Sequence, residues 1–375
     1  MGVKLTILGE SGSGKTCYLL GMHRRMSAGI KEHSLTTLRD ADATQLAQMY
    51  TNLRDTSIGK DRFPKPNFKS ETYHFGLNIA TYRAMDFEWV DYPGEYVDPA
   101  KGHAGSEGYE MVKRSIRESS TLLICLDGEN LIDGDTEEKI YTVKDNSAVY
   151  IMPFITKLAG EFQNQNRTLP PIGIIVTKWD LCMETTTEDE LREVVEEVFS
   201  PLFKSTDTVL AVIPVSLGRS ISDDGYRGRV KPINIQLPIL YGIRYALRDS
   251  IVEDENRKKL NRADSDRYIS GKRDEIKEQE SDIRRWNDEI REERNSFFWT
   301  DDDYINTRNQ WINDAQAEID SLNAKINSER NECERTIGII DAGILKKQTA
   351  IKNLLEAMSG VNLAFYRGKW QAEVE

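Results

Sequence analysis

An apolar run from Val3 to Leu8 leads into Gly9-Glu10-Ser11-Gly12-Ser13-Gly14-Lys15-Thr16, and a helical pattern starts near Cys17. A strand, a glycine-rich loop and a helix in that order build a cradle for phosphate. Glycines at 9, 12 and 14 allow backbone conformations that a side chain would forbid, so successive N–H groups can turn inward. The candidate phosphate-binding residues are therefore Glu10, Ser11, Gly12, Ser13, Gly14, Lys15, Thr16 and Cys17. Lys15 reaches for the terminal phosphates, Thr16 offers a hydroxyl to Mg²⁺, and the following helix adds its positive dipole end.

Further along, helices are predicted at 17–26 and 35–53, then a polar, interrupted and mobile stretch at 59–66. Strands are predicted at 71–79 and 82–90, paired as a hairpin joined near Ala80. The second strand ends in Asp91-Tyr92-Pro93-Gly94-Glu95. A carboxylate at that point can hold a metal ion through its water shell. A glycine three residues on lets a backbone N–H approach a γ-phosphate closely, so loss of that phosphate releases the loop.

Apolar runs at 121–126 and 172–176 follow, the latter ending in Thr177-Lys178-Trp179-Asp180. An Asp in this place accepts two hydrogen bonds from the N1–H and 2-amino group of guanine, donors that adenine does not present together, and a buried carboxylate left unpaired rejects the wrong base. The Lys178 stem is expected to cover the base plane and to brace the phosphate loop. A strand at 209–215 ends in Ser216-Leu217-Gly218, whose backbone can support the guanine edge. Helices predicted at 105–119, 146–162, 188–203 and 237–252 alternate with these strands. The alternation implies an α/β domain with a mainly parallel sheet and its ligand at the carboxyl ends of the strands.

The order of Gly9–Thr16, Asp91–Gly94, Thr177–Asp180 and Ser216–Gly218 resembles the G1, G3, G4 and G5 boxes of the Ras-like, TRAFAC-class P-loop GTPases over about residues 1–250. The stretch Trp89-Val90-Asp91-Tyr92-Pro93-Gly94-Glu95 is similar to that of bacterial YcjX-like proteins and of the GTPases in double-GTPase conflict systems. The resemblance implies a switch that binds GTP or GDP with Mg²⁺ and hydrolyses GTP slowly without a partner. It places Lys15 and Glu95 in catalysis, Thr16 and Asp91 on the metal, and Gly94, Thr177, Lys178, Asp180, Ser216 and Leu217 around the nucleotide. Glu95 departs from the glutamine usual in Ras-like enzymes: a carboxylate can accept a proton from water but donates no hydrogen bond when ionised. The G2 threonine is not assigned, since Thr51, Thr56, Asn67 and Thr72 all lie near the expected loop; Arg24, Arg25, Arg54 and Arg62 are all conceivable internal cation donors.

Beyond residue 250 the sequence turns polar and carries Ile269, Ile276, Ile283 and Ile290 at seven-residue spacing, then Ile305, Ile312, Ile319 and Ile326. Trp286, Trp311, Ala315 and Leu322 fill out the stripe, which predicts an antiparallel coiled-coil hairpin with helices on the order of 60 Å long. Ile337, Ile339, Ile340, Ile344, Leu345, Ile351, Leu354 and Leu355 are expected to pack the base of the return helix on the first domain, with Ser359-Gly360 ending it. The domains are thus a GTPase domain at 1–250, the hairpin at 251–358 and a tail at 359–375.

The hairpin suits engagement of a protein partner, within one chain or between chains of a homo-oligomer. Phe297-Phe298-Trp299 at its tip either closes the hairpin or meets a partner. The net charge of −12 argues against nucleic acid and anionic membrane as partners. Cys17, Cys125, Cys182 and Cys333 have no zinc or disulfide spacing, and no run is long enough to span a bilayer, so a soluble, cytoplasmic protein is expected. The other readings are a GTP-stabilised scaffold with little hydrolysis, a dynamin-like membrane GTPase, and an ATP-binding protein.

Overall fold

The opening apolar run forms β1 (Val3–Gly9), with Leu5, Thr6, Ile7 and Leu8 all buried. A strand buried on both faces needs helices on both sides of its sheet. The computed structural model describes residues 3–65, 70–97, 106–165, 167–205, 208–222, 231–295, 301–358, 364–366 and 369–371. After β1 come α1 (Lys15–Ser27), β2 (His33–Thr37), α2 (Asp40–Arg54), β3 (Glu71–Ile79), β4 (Tyr82–Asp91), α3 (Glu107–Glu118) and β5 (Thr121–Asp127). They are followed by α4 (Thr136–Val143), α5 (Val149–Asn164), β6 (Ile172–Thr177), α6 (Trp179–Cys182), α7 (Glu188–Val198), α8 (Ser200–Phe203) and β7 (Val209–Pro214). The last elements are α9 (Arg219–Ser222), α10 (Leu237–Arg294), α11 (Asp302–Ala357), β8 (Ala364–Tyr366) and β9 (Lys369–Gln371).

The described strands form one sheet in the order β2-β3-β4-β1-β5-β6-β7-β8-β9. The five from β4 to β7 run parallel, and an antiparallel pair flanks them on each side. This is the α/β class that the alternation of strands and helices predicts. One face of the sheet is covered by α1, α2 and the start of α10, with Ala350 and Leu354 of α11 in the same core. The other face is covered by α3, α5 and α7 through Val112, Ile116, Ile151, Phe154, Ile155, Leu191 and Val195.

Two local expectations are corrected. Residues 35–37 belong to β2, not to a helix: Leu35 pairs with Leu77 of β3 and is buried, and the helix waits for Asp40, whose carboxylate with that of Asp42 suits a first turn. The helix expected at 188–203 breaks at Phe199 because Pro201, lacking an N–H, sits where a new helix starts. Short 3₁₀ turns at Thr56–Arg62 run into the polar stretch at 59–66. Arg62 there is 2% exposed and donates from Nη2 to the Ile221 carbonyl at 2.7 Å.

Contacts divide the chain into two compact units, residues 1–250 with 347–375, and residues 251–346. The second unit is a packed antiparallel helical hairpin. Ile269, Ile290, Ile305, Ala315, Ile319, Leu322 and Ile326 are buried along its seam. The Trp286 and Trp311 rings lie 5.6 Å apart, Arg308 Nε meets Glu289 Oε2 at 2.5 Å, and Lys258 meets Asp341 at 2.5 Å. Of the residues expected to pack the base of the return helix on the first domain, Leu354 joins that domain's core, Ile340 and Ile344 are buried but belong to the hairpin unit, and Ile339 and Leu345 are 66% and 64% exposed. They flank the seam-facing pair Ile340 and Ile344 and so turn away from it. Phe297-Phe298-Trp299 and Ser359-Gly360 lie outside the described residues. Among the described residues no helix is long and apolar enough to cross a membrane.

Candidate functional site

The phosphate loop is held open by glycine. Gly12 and Gly14 sit at φ +89° and +86°, the left-handed region that L side chains rarely adopt. Ser13 Oγ donates to the Glu10 carbonyl at 2.9 Å. The Lys15 ammonium curls over the start of the loop, donating to the carbonyls of Gly9 and Glu10 at 2.8 Å each. Burial pulls the Lys15 pKa below its ordinary value, against the pull of the Asp91 carboxylate. Glu10 contributes backbone to this loop, while its side chain accepts from Ser147 Oγ at 2.7 Å.

Asp91, at the end of β4, is brought beside the start of α1 because β4 and β1 run parallel in register. Thr16 Oγ1 donates to Asp91 Oδ2 at 2.9 Å. Burial raises the Asp91 pKa, and Lys15 and the Thr16 hydrogen bond oppose that rise. These two side chains offer a pair of hard oxygens. Among the described residues no group of three or more His, Cys, Asp or Glu could hold a metal on its own. The pair fits Mg²⁺, which keeps several waters and takes further ligands from phosphate oxygens. Gly94 lies against the phosphate loop: a Cβ there would meet Ser11 N at 2.6 Å and Gly9 O at 2.7 Å. Glu95 follows it, half-buried.

On the far side, β6 and β7 deliver the remaining motifs. The brace on the phosphate loop comes from Thr177, not from Lys178: Thr177 Oγ1 lies 2.7 Å from the Ser13 carbonyl and 3.0 Å from that of Leu126. The Lys178 ammonium instead meets Asp127 Oδ2 at 2.7 Å and Glu129 Oε1 at 3.0 Å. Burial alone would lower the Lys178 pKa, but these two carboxylates outweigh it and raise it. Asp180 is 4% exposed. Its Oδ1 accepts from the Ser216 hydroxyl, whose oxygen accepts in turn from Gly218 N at 2.7 Å. Its Oδ2 is buried with no hydrogen-bond partner among the described residues.

These segments meet around one cavity of about 460 Å³, lined by Ser11, Gly12 and Gly14–Tyr18, by Asp91–Glu95, by Thr177 and Lys178, and by Val215–Leu217. Cys17 lines it with a thiol pushed by burial up to about 11, so it stays protonated near neutral pH. Glu10, Ser13 and Asp180 are not among the lining residues. Sequence reasoning missed Asp127 and Glu129, although an acidic turn at the carboxyl end of an apolar strand is the same signal that marked Asp91. It also missed Phe63, Pro64, Lys65, Leu181, Ile221 and Ile235, which complete the lining.

None of the G2 candidates lines the cavity among the described residues. Thr51 donates to its own helix at Ala47, Thr72 lies within β3, Thr56 opens the 3₁₀ turns, and Asn67 lies outside those residues. Arg24 and Arg25 close α1 and Arg54 closes α2, all exposed.

No curated protein matches this chain. The family described as Double-GTPase 2 matches residues 4–216, a span that holds the first three motifs, reaches the first residue of the fourth and covers more than half of the chain. A match of that extent, over a site whose parts converge as described, means that the chain belongs to the Double-GTPase 2 family and shares its guanine-nucleotide-binding, GTP-hydrolysing character.

Proposed function

We propose that this protein is a Mg²⁺-dependent GTP switch, slow by itself, that signals its nucleotide state to a protein partner through a coiled-coil arm. The observation that carries the reading is the convergence of four sequence-distant segments on one cavity. Lys15 and the loop amides stabilise charge on the transferred phosphoryl group, and Thr16 and Asp91 hold the metal. Mg²⁺, when bound, neutralises charge on the β- and γ-phosphate oxygens. Asp180 selects guanine: Ser216 satisfies one of its oxygens, and the other is a buried acceptor that calls for a donor. Gly94 and Glu95 sense the γ-phosphate and position water. Glu95 brings negative charge beside that phosphate, which keeps intrinsic turnover low.

Single-turnover hydrolysis by the purified chain, with Mg²⁺ and with a chelator, tests the reaction; slow turnover that needs Mg²⁺ is expected. Base selection is tested with Asp180→Asn. Xanthine carries a carbonyl where guanine carries its amino group, so an amide at 180 should shift preference from guanosine to xanthosine nucleotides. Equal binding of ATP and GTP by the unmodified chain, or binding of neither, overturns the reading.

A further inference from the structure

The segment ahead of β3 carries chemistry that the four motifs leave unused. Arg62 anchors it on the Ile221 carbonyl at 2.7 Å, and the same guanidinium lies 4.9 Å from the centre of the Phe63 ring. Ile221 closely follows Ser216–Gly218, so this anchor lies on the base side of the cavity. At the other limit, Glu71 opens β3 directly opposite Asp91 in the β3–β4 register, on the metal side. Between the two fixed points Phe63, Pro64 and Lys65 line the cavity. Residues 62–65 thus run from the base-side anchor into the cavity wall, which also holds the phosphate-loop residues Gly12, Gly14 and Lys15.

Lys65 is exposed, and among the described residues its ammonium enters no ion pair or hydrogen bond. The other cations in the lining are engaged, Lys15 by loop carbonyls and Lys178 by Asp127 and Glu129. Against Lys15 and Lys178 the lining sets three carboxylates, Asp91, Glu95 and Glu129. Bound Mg²⁺ would offset part of that negative charge, and a further cation in the lining adds to the attraction for a polyanion. Lysine suits the task, because its compact charge on a flexible stem donates to anionic oxygens and accepts nothing.

We infer that Lys65 is a nucleotide-binding residue whose ammonium pairs with the polyphosphate of the bound guanine nucleotide. The inference rests on the guanine-nucleotide reading above. It assigns to the residues just after the Arg62 anchor an electrostatic role at the site.

The test is competition binding of GDP, GTP and guanosine to the full chain, unmodified and as Lys65→Ala and Lys65→Arg. Lys65→Ala is expected to weaken GDP and GTP about tenfold, to flatten the salt dependence of binding, and to leave guanosine unchanged. Lys65→Arg is expected to restore most of the loss. Undiminished GDP and GTP binding by Lys65→Ala overturns the inference, as does an equal loss for guanosine, which marks a purely structural role. Titration of the unmodified chain is judged first: if it binds no guanine nucleotide, the function proposed above fails and this inference with it.

Discussion

The Thr177 hydroxyl ties the base side of the site to the phosphate side, lying 2.7 Å from the Ser13 carbonyl while its strand leads into Lys178 and Asp180. Thr177→Val keeps the shape and removes the donor. It should cost on the order of 1 kcal/mol in chemical denaturation and speed nucleotide release, measured by stopped flow. Gly94→Ala is more severe, since its Cβ would meet loop backbone at 2.6–2.7 Å and backbone cannot swing aside. A loss of roughly 1–3 kcal/mol is expected, with slower GTP turnover. Glu10 gives a pH signature. Burial raises its pKa above the ordinary 4.5, with the Ser147 hydrogen bond opposing the rise. The fold therefore binds this proton more tightly than the unfolded chain does, and the ionised group costs stability at higher pH, a cost that fades as pH falls through the raised value. Glu10→Gln keeps an acceptor for Ser147 and cannot ionise. Its melting temperature should exceed that of the unmodified protein at about pH 8, and the gap should close as pH approaches about 4.

Among the elements, the hairpin is the one whose sequence states its own structure. Its seam repeats every seven residues, and Leu322 in it is 1% exposed. Leu322→Ala should lower hairpin stability by about 2–3 kcal/mol, seen as earlier loss of helical circular dichroism, with nucleotide affinity unchanged. The phosphate loop and the strands β1, β5 and β6 were legible for the same reason: each signal is contained within a few consecutive residues. What was illegible depends on partners distant in sequence. Leu35 looks like the first apolar residue of a helix, and only its pairing with Leu77 makes it part of a strand. Arg62 sits in a run that reads as a polar loop, and it is buried against a carbonyl, that of Ile221, that lies far away in sequence. Lys178 was read from its motif, but its direction was set by Asp127 and Glu129 at the end of another strand.

For the whole molecule, the consequential connection is the last one. After α11 the chain returns to the sheet, where β8 pairs antiparallel with β7 and β9 with β8. Three-residue strands show no alternation that a sequence can reveal. Their hold comes from tertiary contacts: the Trp370 ring lies 5.3 Å from that of Phe203 and under the Arg192 guanidinium at 5.1 Å, and its indole N–H donates to Glu196 at 3.0 Å. Without them β7, with Leu210, Ala211, Val212 and Ile213 all buried, becomes an open edge of unpaired N–H and C=O groups. A chain ending at Met358 should therefore melt earlier and elute as larger species in size-exclusion chromatography. Trp370→Ala, which keeps the strands but loosens them, should lower the melting temperature by a few degrees at most, on the order of 2–4 °C, without changing the elution position. Both should bind guanine nucleotide with the affinity of the full chain, because β8 pairs with Val209–Ala211 at the start of β7, whereas the site lies past its end at Ser216. Loss of nucleotide binding in Trp370→Ala would instead mean that this edge of the sheet sets the geometry around Ser216.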